Sequence, residues 1–234
     1  MGHLADAAIY DEQVLKLDPL NEWARRALIR TYVDTGDLAA ARQVAAEAPH
    51  PLPIQRLQIV MHEGDWHQAA QITYAALNDD TMLPITEPWG VFAIRMDARR
   101  TGDYARAQAA LEKMGGVTWS AGGIPTLPTQ LGVATANVAL GDLLIASGDR
   151  ARGERVLRAS LADMSHIIHD LKRGDLWYVS DQAVALALLG DRKGSLTALR
   201  KAVANGSFSV MWPISIDPAF SPMRDDPEFQ AVFH

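Results

Sequence analysis

Residues 140–153 read Leu-Gly-Asp-Leu-Leu-Ile-Ala-Ser-Gly-Asp-Arg-Ala-Arg-Gly, and this stretch decides the fold. It joins two helical runs through the pair Gly148-Asp149. Glycine ends a helix because it accepts the left-handed conformation at the C-terminus. The aspartate that follows can cap the next helix by accepting hydrogen bonds from its free amides. The stretch therefore predicts a helical hairpin with a short loop.

The same pair recurs along the chain, at Gly36-Asp37, Gly64-Asp65, Gly102-Asp103, Gly148-Asp149 and Gly190-Asp191. A small residue follows five positions after each glycine, namely Ala41, Ala69, Ala107, Gly153 and Ser195. Such a residue lets the two helices of a hairpin cross closely. One hairpin cannot bury its apolar face alone, so the units must stack.

The pattern predicts an all-α protein without strands. The predicted helices cover residues 5–17, 21–35, 38–47, 54–63, 66–78, 88–101, 104–114, 129–147, 150–170, 174–189 and 192–205.

This register resembles the tetratricopeptide repeat, a helix–turn–helix unit of about 34 residues. The segment Leu15-Lys16-Leu17-Asp18-Pro19 is similar to the end of a second helix of such a repeat. The segment Asp103-Tyr104-Ala105-Arg106-Ala107 is similar to the start of one. The resemblance covers residues 4–205 and implies a right-handed superhelix of hairpins with a concave groove.

Two segments depart from the repeat. Residues 115–128 are rich in glycine and proline around Trp119, which predicts an irregular loop. Residues 206–234 form a capping tail that resembles the end of bacterial tetratricopeptide regions, many of them fused to winged-helix transcription regulators, nucleotide cyclases or kinases. The tail is predicted to cover the last hairpin with its apolar residues Phe220, Met223, Phe229 and Phe233, and to expose Arg224, Asp225, Asp226 and Glu228.

Composition limits the function. The 234 residues carry a net charge of −6, which argues against direct contact with nucleic acid, and they include no cysteine. The N-terminus does not resemble a signal peptide, and Asn137 and Asp142 interrupt the longest apolar stretch, residues 131–146. We therefore predict a protein without a membrane segment, in the cytoplasm, or in the periplasm if its parent protein is anchored in the membrane.

The sequence predicts neither an enzyme nor a cofactor. It contains no Gly-x-Ser-x-Gly and no glycine-rich phosphate loop ending in Lys-Ser/Thr. Asp163, His166 and Asp170 share one helical face that zinc could use, but a polar helix end is the favoured interpretation, and no metal is predicted.

The leading hypothesis is a non-catalytic signalling module that binds a protein or peptide in the groove. The candidate contact residues are Arg26, Arg30, Gln55, Arg95, Arg99, Trp119, Asn137 and Tyr178. Four tryptophans near helix starts, Trp23, Trp66, Trp89 and Trp177, are interpreted as packing residues, whereas Trp119 and Trp212 could line a pocket. The alternatives are a small-molecule sensor with a pocket beside residues 115–128, and the regulatory arm of a cyclase or kinase.

Residues 4–17 resemble a second helix that lacks its first helix. The sequence therefore predicts the C-terminal arm of a larger bacterial regulator. It also predicts a homodimer through the N-terminal repeat, because four apolar side chains would be left uncovered, those of Leu4, Ile9, Leu15 and Leu17.

Overall fold

Each Gly-Asp pair ends one helix and begins the next, which confirms the sequence prediction. The five glycines have φ between 78° and 100°, the left-handed conformation. Asp37 accepts a hydrogen bond of 3.0 Å from the amide of Ala40. Three further aspartates make the same capping bond, namely Asp65, Asp149 and Asp191. Asp103 begins its helix without this bond.

The computed structural model describes residues 4–50, 52–78, 88–127, 134–170, 176–204 and 215–232, which are mostly helical. The chain forms two compact units, Met1–Pro84 and Ile85–His234. Within the described ranges, no helix combines the length and the apolar character that a membrane crossing needs.

The first unit contains helices α1 (Leu4–Leu17), α2 (Glu22–Thr35), α3 (Leu38–Ala46), α4 (Pro53–His62) and α5 (Trp66–Asn78). Helix α2 packs against α1, α3 and α4, and α4 packs in turn against α3 and α5. The buried core of the first unit includes Ile29, Val33, Ala41, Leu52 and Ile59.

The second unit contains α6 (Pro88–Thr101), α7 (Tyr104–Gly115), α8 (Ala134–Ala146), α9 (Arg150–Ser165), α10 (Leu176–Leu188) and α11 (Arg192–Ala204). Helix α8 packs against α6, α7, α9 and α10, and α10 packs against α9 and α11. Within this unit, each hairpin therefore packs against the next one along the chain.

The small residues allow close helix crossings. A Cβ atom built on Gly153 in α9 would lie 2.6 Å from the carbonyl oxygen of Gly141 in α8. No side chain fits there without moving the backbone. The four equivalent residues are fully buried, namely Ala41, Ala69, Ala107 and Ser195.

The chain between α7 and α8 contains two short strands, which corrects the prediction of a strand-free chain. Strands β1 (Thr118–Trp119) and β2 (Pro125–Thr126) pair antiparallel. The glycines between them supply the turn that the helical pattern could not reveal: Gly123 has φ of 68°, and its amide donates to the carbonyl of Ser120. Residue 128 of the predicted loop lies outside the described residues.

The C-terminal segment packs against the last hairpins. It consists of a 3-10 turn (Pro218–Met223) and a helical turn (Pro227–Gln230), and the aromatic side chains of Phe220 and Phe229 contact each other in the core. Arg224, Asp225 and Glu228 are exposed and Asp226 is partly buried. Residues 205–214 and Phe233 lie outside the described residues.

Candidate functional site

The exposed face of α2 carries a tryptophan and two arginines. Trp23 is 81% exposed, and Arg26 and Arg30 follow at three and seven positions, which places all three on one helical face. The arginines pair with neighbours on their own helix: Arg26 lies 3.0 Å from Glu22, and Arg30 lies 3.7 Å from Asp34. All four side chains of these pairs are more than a third exposed, so the pairs contribute little to stability.

Trp23 was interpreted from the sequence as a packing residue, and this is wrong. The structure buries Trp66 and Trp89, which share its place near a helix start, but leaves Trp23 in solvent. Its spacing to the two arginines was the signal that could have identified it. The side chain of Trp177 and all of Trp212 lie outside the described residues.

Gln55 lies on α4, the helix that packs beside α2. Its side chain is partly buried. The first unit therefore holds three of the predicted contact residues, Arg26, Arg30 and Gln55, on two adjacent helices.

The second unit contains a buried ionic cluster around Arg95. The guanidinium of Arg95 on α6 donates to Asp142 of α8 at 2.7 Å and to both carboxylate oxygens of Asp217 at 2.6 and 2.8 Å. All three residues are at most 3% exposed. Burial by itself would lower the pKa of Arg95, but the two carboxylates raise the pKa above its ordinary value. The guanidinium therefore stays charged and joins three separate segments of the chain.

Asp181 of α10 lies beside this cluster and accepts a hydrogen bond of 2.6 Å from the Thr135 hydroxyl. Burial raises the pKa of Asp181 to about 7. The Thr135 hydroxyl and the charge of Arg95 act in the opposite direction, whereas the carboxylate of Asp217 raises the pKa further. Asp181 therefore changes its charge near neutral pH inside the second unit.

Three other predicted residues surround the same helices. Arg99, one turn after Arg95, lies 3.5 Å from Asp142, and its side chain is 32% exposed. Asn137 and Tyr178 are buried, at 1% and 5% exposed. In the part of the chain that the structure describes, the amide oxygen of Asn137 has no hydrogen-bond partner. Arg95, Asn137 and Tyr178 thus form part of the interior rather than an open surface.

Trp119 has its contacts within the second unit. Its indole N–H donates to Glu112 at 2.8 Å, and the guanidinium of Arg152 lies 3.9 Å from the ring centre. Arg155 of the same helix donates to the carbonyl of Gly123 at 3.0 Å. These bonds attach the β1–β2 hairpin to α7 and α9.

The candidate metal face is a pair of side chains in contact. His166 Nδ1 lies 2.7 Å from Asp170 Oδ2, within a π-helical turn (His166–Asp170) that continues α9. In the part of the chain that the structure describes, no three histidine, cysteine, aspartate or glutamate side chains form a group that could hold a metal ion.

The structure therefore brings Arg95 and Arg99 together at Asp142, and places Arg26 and Arg30 on the face of Trp23. Sequence reasoning missed Asp142 and Asp217 as partners of Arg95, and Asp181 beside them, because no local pattern links residues so far apart. No protein-family model matches the chain, and no curated protein is significantly similar to it.

Proposed function

We propose that this chain is a non-catalytic tetratricopeptide-type module that binds a protein or peptide along the exposed face of α2. The repeated hairpins support the repeat assignment, because five turns share one backbone conformation and, within each unit, the first helices of successive hairpins pack side by side. In tetratricopeptide proteins these first helices line the binding groove, and α2 is such a helix.

The observation that carries the proposal is the exposure of Trp23 beside Arg26 and Arg30. Tryptophan and arginine are the residues that most often dominate binding energy at protein interfaces. Among the described residues, both arginines pair only with exposed carboxylates of their own helix, so they can exchange Glu22 and Asp34 for carboxylates of a partner at little cost. The partner segment is therefore acidic and contains an apolar side chain for Trp23.

Selection of a random peptide library on the immobilised protein tests this function. Enriched peptides are expected to combine acidic and apolar residues and to bind more weakly by about tenfold or more to the Trp23→Ala and Arg26→Glu variants. Arg42→Glu is the matched control, since Arg42 lies on α3 and is 62% exposed. Enriched peptides that bind all three variants equally well would exclude the α2 face.

The proposal also concerns the parent protein, of which this chain would be the regulatory arm. The resemblance of the tail to bacterial regulators supports a cytoplasmic regulatory arm whose output domain, a winged helix, cyclase or kinase, lies upstream. The full native gene is the test: an open reading frame without any upstream domain would replace this assignment with a free-standing adaptor.

A further inference from the structure

A cleft opens in the first unit between α1, α2 and α3. Its volume is about 440 Å³, which lies in the range of small-molecule sites. The apolar part of its wall is formed by Leu15, Pro19, Leu28, Ala40 and Val44. The polar part is formed by Glu12, Lys16, Arg25, Tyr32, Gln43 and Glu47.

Arg25 in this wall is a buried cation without a counter-charge. The residue is 6% exposed, and its terminal nitrogens donate to the backbone carbonyls of Val44 at 3.2 Å and Pro19 at 2.8 Å. Its Nε–H has no acceptor among the described residues. No described carboxylate forms an ion pair with Arg25. Arg95 is buried to a similar degree but pairs with two carboxylates. The two arginines therefore differ in their ion pairs and not in their burial.

An uncompensated buried charge is costly, and an anion that enters from solvent can supply the missing partner. Each terminal nitrogen of Arg25 carries two hydrogens and donates one of them to a backbone carbonyl. The second hydrogen has no acceptor among the described residues. Carboxylates match the planar donor edge of a guanidinium.

The remaining wall selects the kind of anion. Glu12 accepts a hydrogen bond of 2.5 Å from the Tyr32 hydroxyl, and this bond raises the pKa of Tyr32 to about 12. Glu12 therefore lies beside the cleft with its side chain bonded to Tyr32, and Glu47 adds a second acidic residue to the wall. Lys16 in the same wall offsets one of these two acidic residues, so the wall favours a singly charged anion on Arg25 over a multiply charged ligand such as a phosphate ester, and the apolar side chains favour a hydrocarbon body.

We infer that this cleft binds a small organic monocarboxylate, with the carboxylate on Arg25 and an apolar body against Leu28 and Val44. The site is separate from the exposed α2 face and stands independently of the function proposed above. It also gives the small-molecule sensor hypothesis a different location from the predicted one beside residues 115–128.

Calorimetric titration of the whole chain with 4-phenylbutyrate tests the site, with 4-phenylbutyramide as the uncharged comparison. Binding of the carboxylate is expected at millimolar concentrations or below, and the amide should bind at least about tenfold more weakly, because it cannot form a charge-assisted hydrogen bond with the guanidinium. Arg25→Met should weaken carboxylate binding by a similar factor. Arg42→Met, on the neighbouring α3, should leave it unchanged.

A second variant keeps the test decisive if Arg25→Met does not fold. Ala40→Leu fills the cleft from a partly buried helical position and leaves Arg25 in place. It should abolish binding while its thermal unfolding stays that of the wild type. Absence of carboxylate binding to the wild type would overturn the site, and so would equal binding of acid and amide, or full binding by the folded Arg25→Met or Ala40→Leu protein.

Discussion

Arg95 and Asp217 lie 122 residues apart in the sequence and share two charge-assisted hydrogen bonds, of 2.6 and 2.8 Å, in the interior of the second unit. Asp217 also accepts from the amide of Ala219, which begins the 3-10 turn of the C-terminal segment. The carboxylate therefore holds this segment to α6 at the same point where it starts the turn.

Removal of the Arg95 charge should strongly destabilise the protein. Arg95→Met leaves the carboxylates of Asp142 and Asp217 buried without their cation, and the expected cost is about 3–5 kcal/mol in the free energy of unfolding. The control is Arg200→Met, which breaks an exposed pair with Glu228 and should cost less than about 1 kcal/mol. Urea unfolding measures both, and equal costs for the two variants would contradict the structural role of the cluster.

The Gly102 turn should not accept a β-branched residue. Gly102 has φ of 78°, and a Cβ atom there would meet nothing within 4 Å, so any cost comes from the backbone conformation alone. Gly102→Val is expected to lower the free energy of unfolding by more than about 1 kcal/mol. Gly102→Asn should cost less, because asparagine tolerates the left-handed region. Chemical denaturation that places both variants at the wild-type value would remove this basis for the turn.

Asp181 should make stability depend on pH. Its folded pKa of about 7 lies above the ordinary value of 3.8, so the folded state retains a proton that the unfolded state loses between these values. The stabilisation of the folded state by protonated Asp181 is fully present below about pH 4 and is lost as the pH rises through about 7. Asp181→Asn should therefore raise the melting temperature at pH 8 and change it little at pH 4.

The size of that effect is limited to a few kcal/mol, because one pKa unit corresponds to about 1.4 kcal/mol. Asp225→Asn is the control, since Asp225 is exposed in the C-terminal segment. A pH profile of Asp181→Asn that runs parallel to the wild type would show that Asp181 does not titrate as described.

The N-terminal helix should mediate self-association. Leu17 is 89% and Ile9 55% exposed on α1, whereas Leu4 and Leu15 are partly buried. Leu17→Glu should abolish a concentration-dependent dimer in sedimentation equilibrium. Ile124→Glu, a change at an exposed apolar residue of the β1–β2 hairpin, should preserve it. A wild-type protein that stays monomeric at every concentration would refute this prediction.

The helix bounds could be predicted almost to the residue, because residues close together in the sequence determine where each helix ends. Helices α5 and α6 have the predicted bounds, and α2, α3 and α4 differ from prediction by one residue. Glycine ends a helix and aspartate caps the next one within a single turn, so neighbouring residues are sufficient to identify a helix end. The two-residue strands escaped prediction because their pairing depends on a turn at Gly123 rather than on alternating side chains.

The interior charges could not be predicted for the opposite reason. Asp142 was interpreted as an interruption of an apolar helix, and Asp217 as part of a tail, since neither has a local partner. Both aspartates pair with Arg95 only in the folded protein, where α6 packs against α8 and the C-terminal segment lies near both helices. Trp23 differs from these aspartates, because its place at a helix start predicts packing whereas its spacing to Arg26 and Arg30 indicates an exposed polar face.

The distance between Arg95 and Asp217 along the chain also has a consequence for biosynthesis. A ribosome that adds roughly 5–20 residues per second needs on the order of 10 s to pass from one residue to the other. For the first 47 residues of that interval the nascent chain lacks both carboxylates, and after Asp142 it still lacks the one that completes the cluster. The second unit therefore cannot complete its interior ionic cluster before Asp217 has been synthesised, and until then Arg95 lacks two of its three charge-assisted hydrogen bonds.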